Sequence, residues 1–318
     1  MSHPDPGHYR RVAHEIEAGR VTPFLGAGVN LSGRLPGVDW KPGQSLPSGD
    51  ELARHLAGVF GYPDGEVQSL VRVAQFIQVM LGMAPLYGEL RSVLVADYRP
   101  TRVHQFLARI PAILRQRDLS VPNQLIVTTN YDDALERAFA EAGQPFDLVK
   151  YIARGRNRGL FQHIDPDGRS TVITVPNEYF ELALDERPAI LKVHGAVDRQ
   201  APAGDSYVVT EDQYIEYVAR TEISNLIPIQ LRERLSFTGI LFLGYSLQDW
   251  NLRVILHKIW EEQDEDLSYH SWSIQLHAHP FDEKLWSSRN VELQLVPLET
   301  YITELERWLV TAGPDGRH

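Results

Sequence analysis

The chain has 318 residues, a formal net charge of -11 at pH 7 and no cysteine. The acidic charge argues against direct nucleic-acid binding, which needs a basic face, and the missing cysteines exclude disulfides, cysteine zinc sites and thiol nucleophiles. No apolar run reaches the roughly 18 residues of a membrane span and no signal peptide begins the chain, so we expect one cytoplasmic domain over residues 1–318, without zinc or another metal.

The first predicted strand, Val21–Leu25, ends at a Gly-Ala-Gly turn that leads into a loop rich in glycine, proline and serine. Ser48 and Glu51 have the spacing of a capping box, which predicts that a helix begins there. From this point the sequence shows only apolar stripes at helical spacing until the second strand. We therefore predict a helical cap, inserted at roughly 48–118 within the single domain.

The rest of the chain alternates between predicted strands and helices. The predicted strands after the first are Leu125–Thr129, Asp147–Tyr151, Thr171–Val175, Ala189–Val193, Gly239–Leu243, Ser271–Leu276 and Val291–Val296. The predicted helices between and after them are Tyr131–Ala142, Glu211–Tyr217, Thr221–Leu235, Asp249–Glu262, Phe281–Ser288 and Glu299–Val310. This alternation predicts an α/β fold with a Rossmann-like parallel sheet and helices on both faces.

Four of the predicted strands end in glycine or in polar residues. These ends are Gly26-Ala27-Gly28, Asn130-Tyr131-Asp132, His194-Gly195 and Gly244-Tyr245-Ser246. In an open parallel sheet, ligands bind at the carboxyl ends of the strands. A glycine pair there lets backbone N–H groups approach a pyrophosphate with no Cβ in the way. The sequence therefore predicts one nucleotide site at this edge of the sheet.

The motifs at these strand ends resemble those of the sirtuin family, the NAD-consuming deacylases, and specifically of its zinc-less bacterial branch. The resembling segments are Gly26-Ala27-Gly28-Val29-Asn30, Ser32-Gly33 with Pro36, Thr129-Asn130-Tyr131-Asp132, Val193-His194-Gly195 and Gly244-Tyr245-Ser246-Leu247. Their order and approximate spacing agree with the family along nearly the whole chain. The resemblance implies that NAD⁺ is bound.

The chain also departs from the sirtuin deacylases. It lacks the four-cysteine zinc module, and it has Thr129 where the family has glutamine and Asn30 where the family has serine. These differences weigh against an acyl-lysine peptide groove. The pattern from Gly244 to Asp249 is similar to that of sirtuin-like NAD hydrolases in bacterial antiphage defence. That resemblance implies NAD depletion in infected cells, a form of abortive infection.

Hydrolysis of the nicotinamide–ribose bond needs a positioned water and a base but no metal. We predict that Asn130 orients the water or the ribose and that His194 accepts a proton. Asp132 is expected to hold the nicotinamide carboxamide and Ser246 the adenosine ribose or a phosphate. The full predicted cofactor-binding set is Gly26, Ala27, Gly28, Asn30, Asp132, Gly244, Ser246 and Asp249. For Asp249, capping of the following helix is an equally good interpretation.

Two other function classes remain open from the sequence. One is a non-catalytic sensor of NAD or ADP-ribose, and the other is a zinc-free deacylase or ADP-ribosyl transferase. An unrestrained NAD hydrolase would kill its host, so we expect control by homo-oligomerisation or by a separate partner. The resemblance implies partners such as a HerA-type ATPase encoded nearby. The sequence leaves open the trigger, and also the choice between ADP-ribose and its cyclic isomer and between NAD and NADP.

Overall fold

The computed structural model describes residues 4–35, 37–63, 69–121, 124–219, 227–245 and 269–311. Nine strands form the main sheet: β1 (Val21–Leu25), β2 (Leu125–Thr128), β3 (Asp147–Tyr151), β4 (Phe161–Ile164), β5 (Ser170–Ile173), β6 (Ala189–Lys192), β9 (Gly239–Leu243), β10 (Ser271–Gln275) and β11 (Val291–Leu295). A separate two-stranded ladder joins β7 (Gly195–Ala196) and β8 (Ser206–Tyr207).

The main sheet has the order β11-β10-β9-β1-β2-β6-β3-β4-β5. All neighbouring strands from β11 to β3 in this order are parallel, whereas β4 is antiparallel to β3 and to β5. The predicted parallel sheet is therefore confirmed, with an antiparallel edge that the sequence analysis did not foresee. Strand β4 was missed because its four residues alternate buried and half-buried and include two polar residues.

The described helices are α1 (Pro6–Glu17), α2 (Gly49–Phe60), α3 (Leu70–Leu81), α4 (Met83–Leu94), α5 (Arg102–Gln116), α6 (Ala134–Glu141), α7 (Glu211–Ala219), α8 (Ile229–Ser236), α9 (Pro280–Ser287) and α10 (Leu298–Thr311). The predicted capping box is confirmed, because the Glu51 N–H donates to Ser48 Oγ and the Ser48 N–H donates to Glu51 Oε2. Helix α6 begins three residues later than predicted, where Asp132 Oδ1 accepts from the Ala134 N–H.

Both faces of the sheet are covered by helices. On β2, Val127 faces a core that includes residues of α7, α8 and α9, and Ile126 faces a core that includes residues of α1, α5, α6 and α10. On β9, Phe242 faces the first of these cores and Leu241 faces the second. Because each strand is buried on both sides, it is read in the sequence as a continuous apolar run rather than an alternating one.

The helices between β1 and β2 fall into two groups. Residues of α2, α3 and α4 pack in a third cluster with Tyr207 and Val209, beyond the carboxyl edge of the sheet. The apolar residues of α5, such as Phe106, instead join the core that covers the sheet. On this packing we propose that the inserted cap comprises α2 to α4 rather than the whole of 48–118.

Two predicted features lie wholly or partly outside the described residues. The predicted helix Asp249–Glu262 lies outside them. The predicted helix Thr221–Leu235 is described only from residue 227, and its described part begins as α8 after Pro228. Among the helices that the structure describes, none has both the length and the apolar composition to span a membrane.

Candidate functional site

The four strand ends that the sequence singled out lie side by side. They follow β9, β1, β2 and β6, which are consecutive neighbours in the sheet and all parallel. The chain leaves β1 towards β2 and leaves β9 towards β10, which lie on opposite sides. A crevice at such a switch point, outside the carboxyl ends of the strands, is the usual ligand site of an open α/β sheet.

The floor of this crevice is a direct contact between two backbone segments. The Gly28 N–H donates to the Gly244 carbonyl at 2.8 Å, and the Gly26 N–H donates to the Leu243 carbonyl at 3.1 Å. A Cβ on Gly28 would lie 2.5 Å from the Gly244 oxygen. Gly244 has φ +62°, and a Cβ there would lie 2.2 Å from the Val29 nitrogen. The glycines thus allow the ends of β1 and β9 to touch.

This contact changes the role expected for the glycine pair. The N–H groups of Gly26 and Gly28 are engaged by carbonyls at the end of β9, so they do not point freely at a pyrophosphate as the sequence analysis expected. Ala27, between them, begins a short 3-10 helix that runs to Leu31. The binding roles of Gly26, Ala27, Gly28 and Gly244 stay predictions, and the glycine requirement has a structural cause.

We expect the substitution Gly28→Ala to lower the free energy of unfolding by about 3 kcal/mol, because the added methyl group meets backbone that cannot rotate away. The matched control is Gly58→Ala in α2, where a Cβ meets nothing within 4 Å. That control should stabilise the protein by about 0.5–1 kcal/mol, since alanine is the better helix former. Denaturant unfolding measures both. Equal stabilities for the two variants would contradict the close contact at Gly28.

Buried amide and carboxylate groups join the β1 and β2 ends above this floor. Asn130 Nδ2 donates to the Gly26 carbonyl at 3.2 Å, and Asn30 Nδ2 donates to Asp132 Oδ2 at 3.2 Å. The three polar side chains lie in residues that are each at most 9% exposed. Asn30 Oδ1 is buried and has no hydrogen-bond partner among the described residues. Such an atom in a native fold calls for a donor from a water molecule or a ligand.

A buried lysine binds the segment that follows β2. Lys192, the last residue of β6, is 1% exposed, and its Nζ donates to the Asp132 carbonyl and to Glu136 Oε1, the latter at 2.7 Å. Burial raises the pKa of Glu136, and the Lys192 ammonium opposes that rise. Neither Lys192 nor Glu136 was predicted from the sequence as part of the site. The available signal was a lysine inside the apolar run Ala189–Val193, which needs a partner once buried.

His104 in α5 is a second buried ionisable group near Asp132. Its Nδ1 accepts from the Thr101 N–H at 3.1 Å, which is compatible with a neutral ring. Burial lowers the pKa of His104 to about 4, with an opposing effect from the Asp132 carboxylate and a reinforcing one from the Lys192 ammonium. The residue therefore favours the folded state only while it is neutral.

The lowered pKa of His104 makes stability depend on pH. In the unfolded chain His104 takes up a proton near pH 6.5, which is above its pKa in the folded protein. The contribution of neutral His104 to the free energy of unfolding is therefore complete above pH 6.5 and is lost as the pH falls towards 4. We expect this loss to reach about 3 kcal/mol. His104→Gln keeps an acceptor for Thr101 and should show a shallower fall, measured by urea unfolding at pH 7, 5.5 and 4.5. Identical pH profiles would contradict a neutral buried His104.

His194 follows β6 and is 2% exposed. The Val193 N–H donates to the Thr128 carbonyl at 3.1 Å, and the Val197 N–H donates to the Tyr131 carbonyl at 2.8 Å. His194 therefore lies between two backbone hydrogen bonds that join its segment to the end of β2. Its Nδ1 lies 3.3 Å from Tyr214 Oη. The structure therefore brings Asn130, Asp132 and His194 to neighbouring strand ends, while Ser246 and Asp249 lie outside the described residues.

The comparison with protein families agrees with this arrangement. A model of the SIR2-like domain matches residues 124–294, which is more than half of the chain. The chain belongs to the SIR2-like family. The matched range includes the ends of β2, β6 and β9, and thus three of the four segments that line the crevice.

Two curated relatives resemble this SIR2-like chain. The NAD(+) hydrolase ThsA of Acinetobacter baumannii (strain 532279) is 27% identical over 250 residues, which are 78% of this chain and 41% of that protein. Defense-associated sirtuin 2 of Bacillus subtilis is 22% identical over 263 residues, which are 82% of this chain and 21% of that protein. The SIR2-like chain spans less than half the length of either relative.

Within the described part of the SIR2-like chain, no three histidine, aspartate or glutamate side chains are placed to hold a metal ion. The polar groups of the crevice are instead amide, carboxylate and imidazole groups of three neighbouring strand ends. These groups suit hydrogen bonding to a polar organic ligand and proton transfer to or from it.

Proposed function

We propose that the chain hydrolyses NAD⁺ at the nicotinamide–ribose bond, using water and releasing nicotinamide, ADP-ribose and a proton. The observation that carries the proposal is the juxtaposition of Asn130 and His194 at adjacent strand ends, in a SIR2-like chain that resembles an NAD(+) hydrolase. A buried amide and a buried imidazole beside one crevice supply a water-orienting group and a base.

The other predicted residues take binding roles in this proposal. Asp132 and Asn30 form a hydrogen-bonded pair, and Asn30 Oδ1, which has no partner within the described ranges, is an acceptor for an N–H donor such as a carboxamide. Ala27 and the turn at Gly244 would face the rest of the dinucleotide across the switch point. Ser246 and Asp249 remain candidates for the ribose or phosphates.

The same proposal gives the chain a place in antiphage defence through depletion of NAD⁺. Its support is the resemblance to a defense-associated sirtuin and to ThsA. An enzyme with this effect must be restrained in a healthy cytoplasm. We propose that self-association or a partner such as a HerA-type ATPase supplies the restraint, which co-purification from the native host tests. A monomer that co-purifies with no partner and has full activity would contradict it.

The test of the activity is release of nicotinamide and ADP-ribose from NAD⁺ by the purified chain, with binding of NAD⁺ and ADP-ribose measured in parallel by calorimetry. Equal release of both products supports hydrolysis. Release that depends on an acylated peptide or a protein acceptor would instead assign a deacylase or a transferase. Tight binding with no release, with or without the neighbouring gene product, would replace the hydrolase by a sensor.

A further inference from the structure

Helix α7 presents two tyrosines to the ring of His194. Tyr214 Oη lies 3.3 Å from Nδ1, and the two rings are nearly perpendicular with centroids 5.2 Å apart. Tyr217 packs on the same imidazole at 83° and 5.6 Å. The two tyrosines are three residues apart, which places them on one face of a helix. Packing from α7 and the polar contact at Nδ1 therefore both hold the His194 ring.

The contact at Nδ1 determines which ring nitrogen of His194 can accept a proton as the base. A neutral imidazole carries its proton on one nitrogen only, and a partner at that nitrogen fixes the tautomer and the ring orientation. If Nδ1 carries the proton and donates to Tyr214 Oη, then Nε2 is the nitrogen with the lone pair, and it is the one that can accept a proton from water or a ribose hydroxyl. A Tyr214 that donated instead would leave the proton on Nε2 and remove the base.

We propose that Tyr214 is the positioning residue of His194: its hydroxyl accepts from Nδ1 and holds the tautomer in which Nε2 is the base. This inference rests on the proposed hydrolysis of NAD⁺. Tyr214 touches no reacting atom in this role. It acts through His194, as the third group does in other nucleophile–base–orienter arrangements.

The position of Tyr214 is itself fixed by the cap. At the start of α7, Glu211 pairs with Arg72 of α3 at 3.1 Å. The next residue, Asp212, accepts from Gln75 Nε2 at 2.9 Å, and its own N–H donates to Gln75 Oε1 at 3.0 Å. These contacts hold the first turn of α7 against the cap, and Tyr214 follows Asp212 by two residues. Tyr214 therefore has a defined place from which to orient the ring.

The chain offers a matched pair of variants. Tyr214→Phe removes the hydroxyl at Nδ1 and keeps the ring, whereas Tyr217→Phe removes a hydroxyl that is buried and has no hydrogen-bond partner among the described residues. We expect Tyr214→Phe to lower kcat by about tenfold or more with little change in KM, and Tyr217→Phe to stay within twofold of the wild type. In a His194→Ala background, Tyr214→Phe should have no further effect. A kcat within twofold of wild type for Tyr214→Phe would overturn the proposal.

A second readout separates this inference from the proposed function. Nitrogen-15 NMR of histidine-labelled protein, with His194 assigned by its loss in His194→Ala, reports which ring nitrogen carries the proton, whatever the protein catalyses. We expect the Nδ1–H tautomer in the wild type and in Tyr217→Phe, and a mixture in Tyr214→Phe. An Nε2–H tautomer in the wild type would overturn the inference. Absence of nicotinamide release with the Nδ1–H tautomer present would overturn only the hydrolase.

Discussion

Replacing His194 by alanine is expected to lower nicotinamide release by about 10²–10⁴-fold, the usual contribution of a positioned general base. His194 is buried, and backbone hydrogen bonds of Val193 and Val197 hold its segment against the β2 end. Initial rates of nicotinamide formation at saturating NAD⁺ measure the effect. Asn130→Ala should cause a loss of similar size, since the amide that orients the water is removed.

The controls for this prediction separate chemistry from folding. His14→Ala changes an exposed histidine of α1 and should leave the rate unchanged. Calorimetry with ADP-ribose should show that the His194→Ala protein still binds, because His194 has no binding role in the proposal. A His194→Ala protein that binds ADP-ribose and retains more than a tenth of the wild-type rate would remove His194 from catalysis.

Replacing Lys192 by methionine is expected to lower the free energy of unfolding by about 3 kcal/mol, because the change leaves the Glu136 carboxylate, whose side chain is only 14% exposed, without its partner. Glu136 loses its ion pair and the Asp132 carbonyl loses a donor, while the methionine fills a similar volume. Denaturant unfolding at pH 7 measures the cost. The loss of stability should be smaller at lower pH, because the raised pKa of Glu136 allows that carboxylate to take up a proton there.

The second variant in this test is Lys192→Met combined with Glu136→Gln. Removing the orphaned charge should recover part of the lost stability, so the double variant should be more stable than Lys192→Met alone. Lys284→Met on α9 changes an exposed lysine and should alter stability by less than about 0.5 kcal/mol. A double variant less stable than the single one would show that the ion pair with Glu136 is not what Lys192 supplies.

Local sequence patterns predicted much of the framework. The strands Val21–Leu25, Asp147–Tyr151 and Gly239–Leu243 were predicted with their observed bounds. Val21–Leu25 and Gly239–Leu243 are buried along their whole length, and such a strand is a short, mostly apolar run bounded by polar or turn residues. The same logic brought the polar strand ends together, since all parallel strands point their carboxyl ends to one edge. The convergence of four motifs therefore needed no knowledge of the strand order.

Contacts between distant segments were beyond such patterns. Gly28 and Gly244 are required because β1 lies beside β9, and local periodicity does not predict the order of strands in a sheet. The partnership of Lys192 with Glu136, and that of Tyr214 with His194, each join two elements by side chains alone. The apolar stripes between residues 48 and 118 predicted helices, but the whole fold decides that α5 packs on the sheet and not with α2 to α4.

The contact between Gly28 and Gly244 also has a consequence for the chain during its synthesis. The segment that closes the floor of the crevice is made long after β1, β2 and β6, because β9 begins only at residue 239. Until then the open edge of β1 has no neighbour, and the switch point does not exist. A nascent or prematurely ended chain thus lacks a complete site. Under the proposed function, a chain that ends before β9 would not consume NAD⁺.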